Sequence, residues 1–403
     1  MEKQTMTIDL RYGASKTLCL TPTEEQSVQA HSIAIESLDH ALNETIHKSL
    51  DTSVHFPAFK EIVFPEDTLA ISVGQGVPQV AKVISCILDY IQTSTAVSPN
   101  DITIVFANEQ EALAIHQLEA LLDEFLLSSL TMEVHNPDIS EDLAYLTATV
   151  EGDPIRLNKT LVDADVVLPI CSNLPDSLFG HAGFFHDLFP LFTETETILR
   201  FRSQQDAASL TRDAIEAANM LGVQYLVKVT PANDDEIHDI TAGDTYTLQT
   251  TVPAIAKQVW QRPHSPADLC IGSISGPPHH QTWDNFARAL SGLAKSTNPG
   301  GSIVICSELE GPLPAPIKFL SSNDATDRLR EQLRQQPDVN IQAAQEILRL
   351  KTDYHLYLLS SLDGDDVESI GLAHIESPDQ VNNLISSADS ITIVGDAHRA
   401  TVE

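Results

Sequence analysis

The stretch LAISVGQGVPQVAKVISCILDYI, residues 69–91, indicates the fold class. It begins with a short apolar run, Leu69–Val73, which is typical of a buried strand. Gly74–Pro78 follows as a turn, and its proline suits the first turn of a helix. The apolar residues after the turn recur three and four positions apart, as on one face of a helix: Val80, Val83, Ile84, Ile87, Leu88 and Ile91. The stretch therefore predicts a buried strand that is followed by an amphipathic helix.

The same alternation continues to about residue 260. Ile102–Ala107, Asp165–Ile170 and Gln224–Val229 are further apolar runs of strand length, and helical patterns separate them. Strands that are apolar throughout belong to mostly parallel sheets with both faces covered. The sequence thus predicts an α/β fold. The segment Thr23–Ser49 is rich in helix formers and follows a Thr-Pro pair, which favours a helix there.

A second domain is predicted after Gln261–Pro266 (QRPHSP), which is typical of a linker. The alternation then restarts with a strand over Leu269–Ile274 and a helix over Trp283–Ala294. We therefore expect two α/β domains with mostly parallel sheets, residues 1–262 and residues 263–403. Ligands of open α/β sheets bind beyond the carboxyl ends of the strands, and often between domains. The sequence accordingly predicts a ligand-binding cleft between the two domains.

The charge of the chain limits its partners. Of its 403 residues, 57 are acidic and 23 are Lys or Arg, which gives a formal net charge of -34. Such a surface repels phosphate backbones and anionic lipid, so neither nucleic acid nor a membrane is expected as a partner. It also repels a small anionic ligand, unless basic residues gather at one place. A small anion is therefore expected as a partner only if basic residues gather at its binding site. The sequence leaves the oligomeric state open.

The cysteines and the N-terminus bear on localisation. The five cysteines are far apart, and four of them lie within apolar runs. This pattern favours buried thiols over disulfides or CxxC metal sites. Neither a signal-peptide core nor a run of about 18 apolar residues is present. We therefore expect a cytoplasmic protein.

Residues 158–201 carry a resemblance to a known family. NKTLVDADVVLPICSNLPDSLFGHAGFFHDLFPLFTETETILRF resembles the core of the nickel-pincer-dependent lactate racemases. Other landmarks follow in the family order, with SVGQGVPQ in the slot of an Asp-His-Thr-Arg-Pro loop and VFANEQEA in that of an Ala-x-Gly-x-His-Arg loop. DNFARAL, residues 284–290, matches a Tyr-Gln-x-x-Lys-Ala-Leu segment of the second domain. The resemblance covers roughly residues 8–310.

The resemblance implies a set of site positions, and this chain has different residues at nearly all of them. In the family a lysine carries the nickel pincer, one histidine is a nickel ligand, two histidines act as acid and base, and an Asp and an Arg bind the substrate. A glutamine and a lysine of the second domain complete the site. The residues that stand at these positions here are His186, Arg202, Asp176 and Gln110, Gly74 and Val77, and Asn285 and Arg288.

These replacements disfavour the family chemistry. An imidazole at His186 does not form the thioamide that tethers the pincer, and the guanidinium of Arg202 has no lone pair for nickel. Racemisation needs a base on each face of the substrate, and Gln110 is not a base. We therefore expect no cofactor and a catalytically degenerate protein, in which Arg202, Asn285 and Arg288 bind a small carboxylate or other anion.

Two alternatives stay open. The first is that the chain is an active 2-hydroxy-acid racemase or epimerase, as its fold suggests. The second is that it is an enzyme with altered chemistry that uses Asp176 and His186. His181 and His186 are weak candidates for metal ligands, because a spacing of five does not bring two side chains together on a helix. The pair His279-His280 is interpreted as part of a solvent-exposed loop.

Overall fold

The structure is a computed structural model, and it describes residues 6–31, 35–38, 41–52, 56–109, 111–149, 152–174, 185, 187–203, 207–263, 265–322, 326–334 and 340–402. The strands are β1 (Ile8–Tyr12), β2 (Lys16–Leu20), β3 (Ser27–His31), β4 (Leu69–Val73), β5 (Ile102–Phe106), β6 (Thr131–Val134), β7 (Leu143–Ala148), β8 (Pro154–Asn158), β9 (Val166–Ser172), β10 (Tyr225–Pro231), β11 (Ile237–Asp244), β12 (Gln261–Arg262), β13 (Ala267–Ser273), β14 (Thr297–Cys306), β15 (His355–Leu359), β16 (Ala373–Ile375), β17 (Ser390–Val394) and β18 (Thr401–Val402).

The helices are α1 (Leu42–Asp51), α2 (Phe59–Ile62), α3 (Val80–Ser94), α4 (Ala114–Leu121), α5 (Glu124–Ser129), α6 (Lys159–Asp163), α7 (Thr195–Ser203), α8 (Ala207–Met220), α9 (Thr245–Trp260), α10 (Trp283–Ala294), α11 (Ala315–Lys318), α12 (Thr326–Arg334), α13 (Ile341–Leu350), α14 (Gly364–Ser369) and α15 (Pro378–Ser387). Within the described residues, none of these helices has both the length and the apolar character that crossing a membrane requires. Helices and mostly parallel strands alternate along the chain, so the predicted α/β class is confirmed.

The contacts divide the chain into two compact units. The first, called here the N-terminal unit, comprises Ile35–Asp176 and Gly180–Val259. Its six-stranded sheet has the order β11-β10-β9-β4-β5-β6, and only β11 runs antiparallel to its neighbour. The chain passes from β4 outward to β5 and β6 on one side, and later to β9 and β10 on the other. The point at which the strand order reverses therefore lies between β4 and β9.

Strand β4 is buried on both faces of this sheet. Its residues alternate between the faces, as the pleat of a strand requires. Ile71 and Val73 pack with the apolar face of α3, while Ala70 packs in a second cluster on the opposite face. Burial of both faces explains why the run is apolar throughout, and this is the feature from which the strand was predicted.

The second unit, called here the C-terminal unit, consists of residues 260–402 together with residues 6–31. Its six-stranded sheet is parallel, with the order β16-β15-β14-β13-β17-β3. The strand order reverses between β13 and β17. Helix α10 covers one face, where Phe286, Leu290 and Leu293 are buried in a cluster with residues of β13 and β14.

The contacts assign the start of the chain differently from the sequence prediction of domains 1–262 and 263–403. Residues 6–31 belong to the C-terminal unit, because β3 pairs in parallel with β17 and the hairpin β1–β2 buries Leu18 and Leu20 against the same sheet. Pairing with β17 also explains why Ser27–His31 is a strand, although its surroundings are rich in helix formers. Contacts with a distant part of the chain outweigh local propensity there.

Candidate functional site

The N-terminal unit brings polar side chains to the carboxyl ends of its central strands, beside the point where the strand order reverses. Open α/β sheets bind ligands at this position. The turn after β4 begins with Gly74, whose N–H donates to the carbonyl oxygen of Ile170 at 2.9 Å. A methyl group on Gly74 would lie 2.5 Å from Cβ of Asp187 and 3.2 Å from that same carbonyl oxygen. The absent side chain of residue 74 therefore makes room for Asp187.

Asp187 belongs to a largely buried ion pair. Its Oδ2 lies 3.6 Å from Nζ of Lys228, and the lysine side chain is only 5% exposed. Lys228 lies on β10, and its ammonium also donates to the carbonyl oxygen of Ser172 at 3.3 Å. The hydroxyl oxygen of Ser172 is itself buried and has no hydrogen-bond partner among the described residues. The end of β9 thus presents a buried hydroxyl group beside a buried ammonium group.

Glu111 follows strand β5, which pairs with β4, and it begins a short 3-10 helix, Glu111–Leu113. Its backbone N–H donates to Oδ1 of Asn108 at 3.0 Å, and its Oε1 accepts from the N–H of Gly76 at 3.2 Å. Burial raises the pKa of the half-buried Glu111 carboxyl to about 7, and the negative charges of Asp187 and Asp235 act in the same direction. Glu111 is therefore partly protonated at neutral pH. Glu111, Ser172, Asp187 and Lys228 are called here the strand-end cluster.

Several of the predicted site residues are not described by the structure. Gln110, Asp176, His181 and His186 lie outside the described residues, and Arg202 lies on α7 in a part for which only the backbone is described. Strands β4, β5 and β9 are parallel, so the loops that follow them leave the same edge of the sheet. The roles assigned to Asp176, His186 and Arg202 stay predictions.

Basic side chains gather in the C-terminal unit, at the carboxyl ends of β13 and β17. The guanidinium carbons of Arg262 and Arg399 lie 5.5 and 5.7 Å from the ring centroid of Trp260, and both arginines are buried. Asp396, on the loop after β17, accepts a hydrogen bond from Ser275 on the loop after β13. Burial lowers the pKa of Arg262, and the negative charge of Asp396 opposes this shift.

Two buried histidines lie beside these arginines. The rings of His280 and His398 are 6.0 Å apart between centroids. Burial lowers the pKa of His280 to about 2 and that of His398 well below its usual value, and Arg399 contributes to both shifts. Both imidazoles are therefore neutral. Nε2 of His280 and Nδ1 of His398 have no hydrogen-bond partner among the described residues. The interpretation of His279-His280 as a solvent-exposed pair is wrong for His280, which packs against Gly276.

Asn285 and Arg288 lie on α10, as predicted, one helical turn apart. Asn285 Nδ2 donates to the carbonyl oxygen of His280 at 2.9 Å, so this amide braces the loop after β13. Arg288 is half-buried, and its positive charge contributes to the lowered pKa of His398. Arg288 therefore lies near His398. Arg262, His280, Arg288, His398 and Arg399 are called here the basic cluster.

Comparisons with known proteins agree with this fold. Residues 12–200 match the sequence model of the lactate racemase N-terminal domain. The lactate racemase of Thermoanaerobacterium thermosaccharolyticum is 18% identical over 316 residues, which are 75% of this chain and 74% of that protein. The structure of the lactate racemase apoprotein from the same organism superposes with a TM-score of 0.82 at 16% identity, and the match covers 99% of this chain and 100% of that one.

Residues 12–200 thus resemble the lactate racemase N-terminal domain, and the chain has a lactate racemase-like fold. A crystal structure of a protein from Thermotoga maritima is also similar, with a TM-score of 0.67 at 12% identity over 92% of this chain and 100% of that one. At such identities the two structural matches show the fold alone.

The described residues of the strand-end cluster do not fit a nickel pincer. Nickel in proteins favours thiolate and imidazole ligands, whereas this cluster offers carboxylates, a hydroxyl and an ammonium group. The nearby thiol of Cys171 is fully buried, and burial raises its pKa to about 12, so it is not a thiolate. Lys228 is paired with Asp187, and a lysine that tethers a cofactor needs an uncharged amine.

Sequence reasoning missed several of these groups. The family pattern Ala-x-Gly-x-His-Arg, counted from Ala107, brings its histidine to position 111 and not to 110, so Glu111 was detectable. Lys228 and Asp187 carry no motif, and their pairing depends on β10 lying next to β9. Arg262 and Arg399 are far apart in the chain and come together only because β12 pairs with β18.

Proposed function

We propose that this lactate racemase-like chain no longer carries out nickel-pincer racemisation and instead binds a small carboxylate or another small anion. The observation that carries the proposal is the basic cluster. In a chain with a net charge of -34, three arginines lie with two histidines beside the point where one sheet reverses its strand order. Ligands of open α/β sheets bind at this position.

The charges of the basic cluster favour an anion. His280 and His398 are neutral, so the positive charge resides on the guanidinium groups, which are held close together in a partly dehydrated place. Like charges in such a place repel one another strongly, and an anion relieves this repulsion. Asp396 supplies one negative charge to the group. Arg288 is the half-buried member, and its planar fork of donors suits a carboxylate.

Replacement of the family residues supports the loss of racemisation. The resemblance puts His186 and Arg202 where the pincer lysine and a nickel ligand stand in the family, and neither residue type has the required chemistry. Coexpression with the cofactor-making enzymes tests this directly. We expect an unchanged intact mass and no interconversion of lactate enantiomers on chiral chromatography. An added mass on the chain, or turnover above background, would overturn this part of the proposal.

Anion binding is tested by calorimetry with lactate, malate, gluconate and phosphate. We expect a Kd of about 1 mM, which corresponds to roughly -4 kcal/mol. Arg288→Ala should weaken binding at least about tenfold, because it removes the contact with the ligand. Arg330→Ala is the matched control, since Arg330 is an exposed arginine of the same unit that pairs with Asp327. Equal effects of the two substitutions, or no binding of any of the four anions at about 10 mM, would contradict the proposal.

A further inference from the structure

A polar groove lies between helix α6 and strands β4, β5 and β6 of the N-terminal unit. Its lining includes Leu69 and Thr103, which lie where β4 and β5 begin, so this part of the groove is at the opposite end of these strands from the strand-end cluster. The groove has a volume of about 460 Å³. Small-molecule sites in proteins have volumes of about 300–1,000 Å³. The groove, called here the α6 groove, is therefore large enough for a small organic ligand.

Carboxylates dominate the lining of the α6 groove. Asp101 precedes β5, Glu133 lies on β6, Asp142 precedes β7 and Asp163 ends α6. Lys159 is the one basic residue among the described residues that line the groove. Four carboxylates and one ammonium group attract a cation and repel an anion.

The fold holds one of these carboxylates in place. Asn158 is only 3% exposed, and its Oδ1 caps α6 by accepting from the N–H of Leu161 at 3.1 Å. The amide nitrogen of the same side chain donates to Oε1 of Glu133 at 3.1 Å. Glu133 is thus positioned before a ligand arrives, which lowers the entropic cost of binding.

A buried imidazole beside the groove lacks a partner for one of its nitrogens. His135 is two residues after Glu133, so both side chains are on the same face of the sheet. Nε2 of His135 lies 2.9 Å from the carbonyl oxygen of Thr193. A carbonyl oxygen only accepts, so Nε2 carries the proton and Nδ1 is an acceptor. Nδ1 is buried and has no hydrogen-bond partner among the described residues.

The surroundings of His135 favour a ligand that donates hydrogen bonds. Burial lowers the pKa of His135, so the ring is neutral, and the negative charges of Glu133 and Asp142 act on it from the groove. A buried acceptor without a partner costs free energy. A ligand with several N–H groups and a positive charge satisfies both this acceptor and the carboxylates.

We propose that the α6 groove binds an aliphatic diamine or polyamine, whose protonated amino groups contact Glu133, Asp142 and Asp163. The separation of the carboxylates favours such a ligand over a metal ion. Within the described residues, no three ligand atoms from the acidic and histidine side chains of the groove lie within 4.8 Å of one another, whereas a metal ion needs ligands that converge on one point. The inference goes beyond the proposed function, because the site lies in the other unit and its ligand has the opposite charge.

Calorimetry of the full chain with spermidine at low ionic strength tests the proposal. We expect one site with a Kd of about 1 mM or below, and weaker binding when NaCl is added, because charges make the contacts. Asp142→Asn/Asp163→Asn should bind spermidine about fivefold more weakly. The matched control is Glu119→Gln/Glu141→Gln, which removes two charges from exposed positions of the same unit outside the groove. It should bind like the natural chain.

The control separates a site from general attraction to a chain with a net charge of -34. Equal weakening in the two double variants, or many weak sites instead of one, would refute the groove as a site. Displacement of spermidine by an equal concentration of Mg²⁺ would refute the preference for amines. In histidine-labelled protein the imidazole resonances of His135 should shift with spermidine and not with Mg²⁺, and no shift at saturation would contradict the part assigned to His135. Thermal unfolding of each variant shows that weaker binding does not reflect loss of the fold.

Discussion

Glu111→Gln should lose less stability than the natural chain as the pH rises. The stability compared is the free energy of unfolding of the two proteins at each pH. The ordinary pKa of a glutamate is 4.5, and burial of Glu111 raises it to about 7 in the folded protein. The folded state therefore binds the proton more tightly than the unfolded state. The stabilisation that this provides is fully present below about pH 4.5 and is lost as the pH rises through about 7.

The magnitude follows from the two pKa values. Between pH 5 and pH 8 the ionisation of Glu111 should lower the free energy of unfolding by about 2.5 kcal/mol, and the Gln variant does not experience this loss. Urea unfolding of both proteins at several pH values measures the difference. Its value should grow in favour of Glu111→Gln as the pH rises from about 5 to about 8. The prediction is refuted if the free energies of unfolding of the two proteins change in parallel with pH. It is also refuted if Glu109→Gln, a substitution at an exposed residue, gains as much stability as Glu111→Gln.

Two further predictions concern packing and thiols. Gly74→Ala should destabilise the N-terminal unit by about 1–3 kcal/mol, because the new methyl group meets Asp187 and a backbone oxygen. Gly292→Ala is the control and should be neutral or stabilising, because its new methyl group would have its nearest contact at 3.5 Å. Equal unfolding midpoints for the two variants would contradict the close packing at Gly74. In the native protein a thiol reagent should react rapidly with Cys19, which is exposed, and not with Cys171, whose buried thiol has a pKa raised to about 12. A fast phase that persists in Cys19→Ser would refute this assignment.

The sequence predicted the parts of the fold that local patterns determine. The strand over Leu69–Val73 and the helix over Trp283–Ala294 have the predicted bounds in the structure. Both predictions are confirmed because burial leaves a regular apolar pattern in the sequence. A strand buried on two faces is apolar throughout, and a helix buried on one face has an apolar stripe. The family resemblance was also correct, since it depended on the order and spacing of short motifs rather than on any single residue.

The rest depended on contacts between distant residues. Ser27–His31 has no strand pattern of its own and becomes a strand only beside β17. His280 lies in a loop that looks polar, yet the fold buries it beside His398. Likewise Lys228 is a single charge within an apolar strand, and its partner Asp187 lies in the segment that follows the neighbouring strand β9. Such pairings are decided by which strands become neighbours, and periodicity carries no information about that.

The place of β3 has a consequence for how the chain is made. A ribosome releases residues 27–31 long before residues 390–394, against which they pair, so the early segment has to wait without its partner while the N-terminal unit is synthesised. Closing so long a loop delays the pairing further. A fragment cut at residue 262 would separate the two strands permanently. Its later part would expose the flank of β17 as an unpaired edge, which is a template for the attachment of other chains. The C-terminal unit is thus completed by a segment that is synthesised before the N-terminal unit.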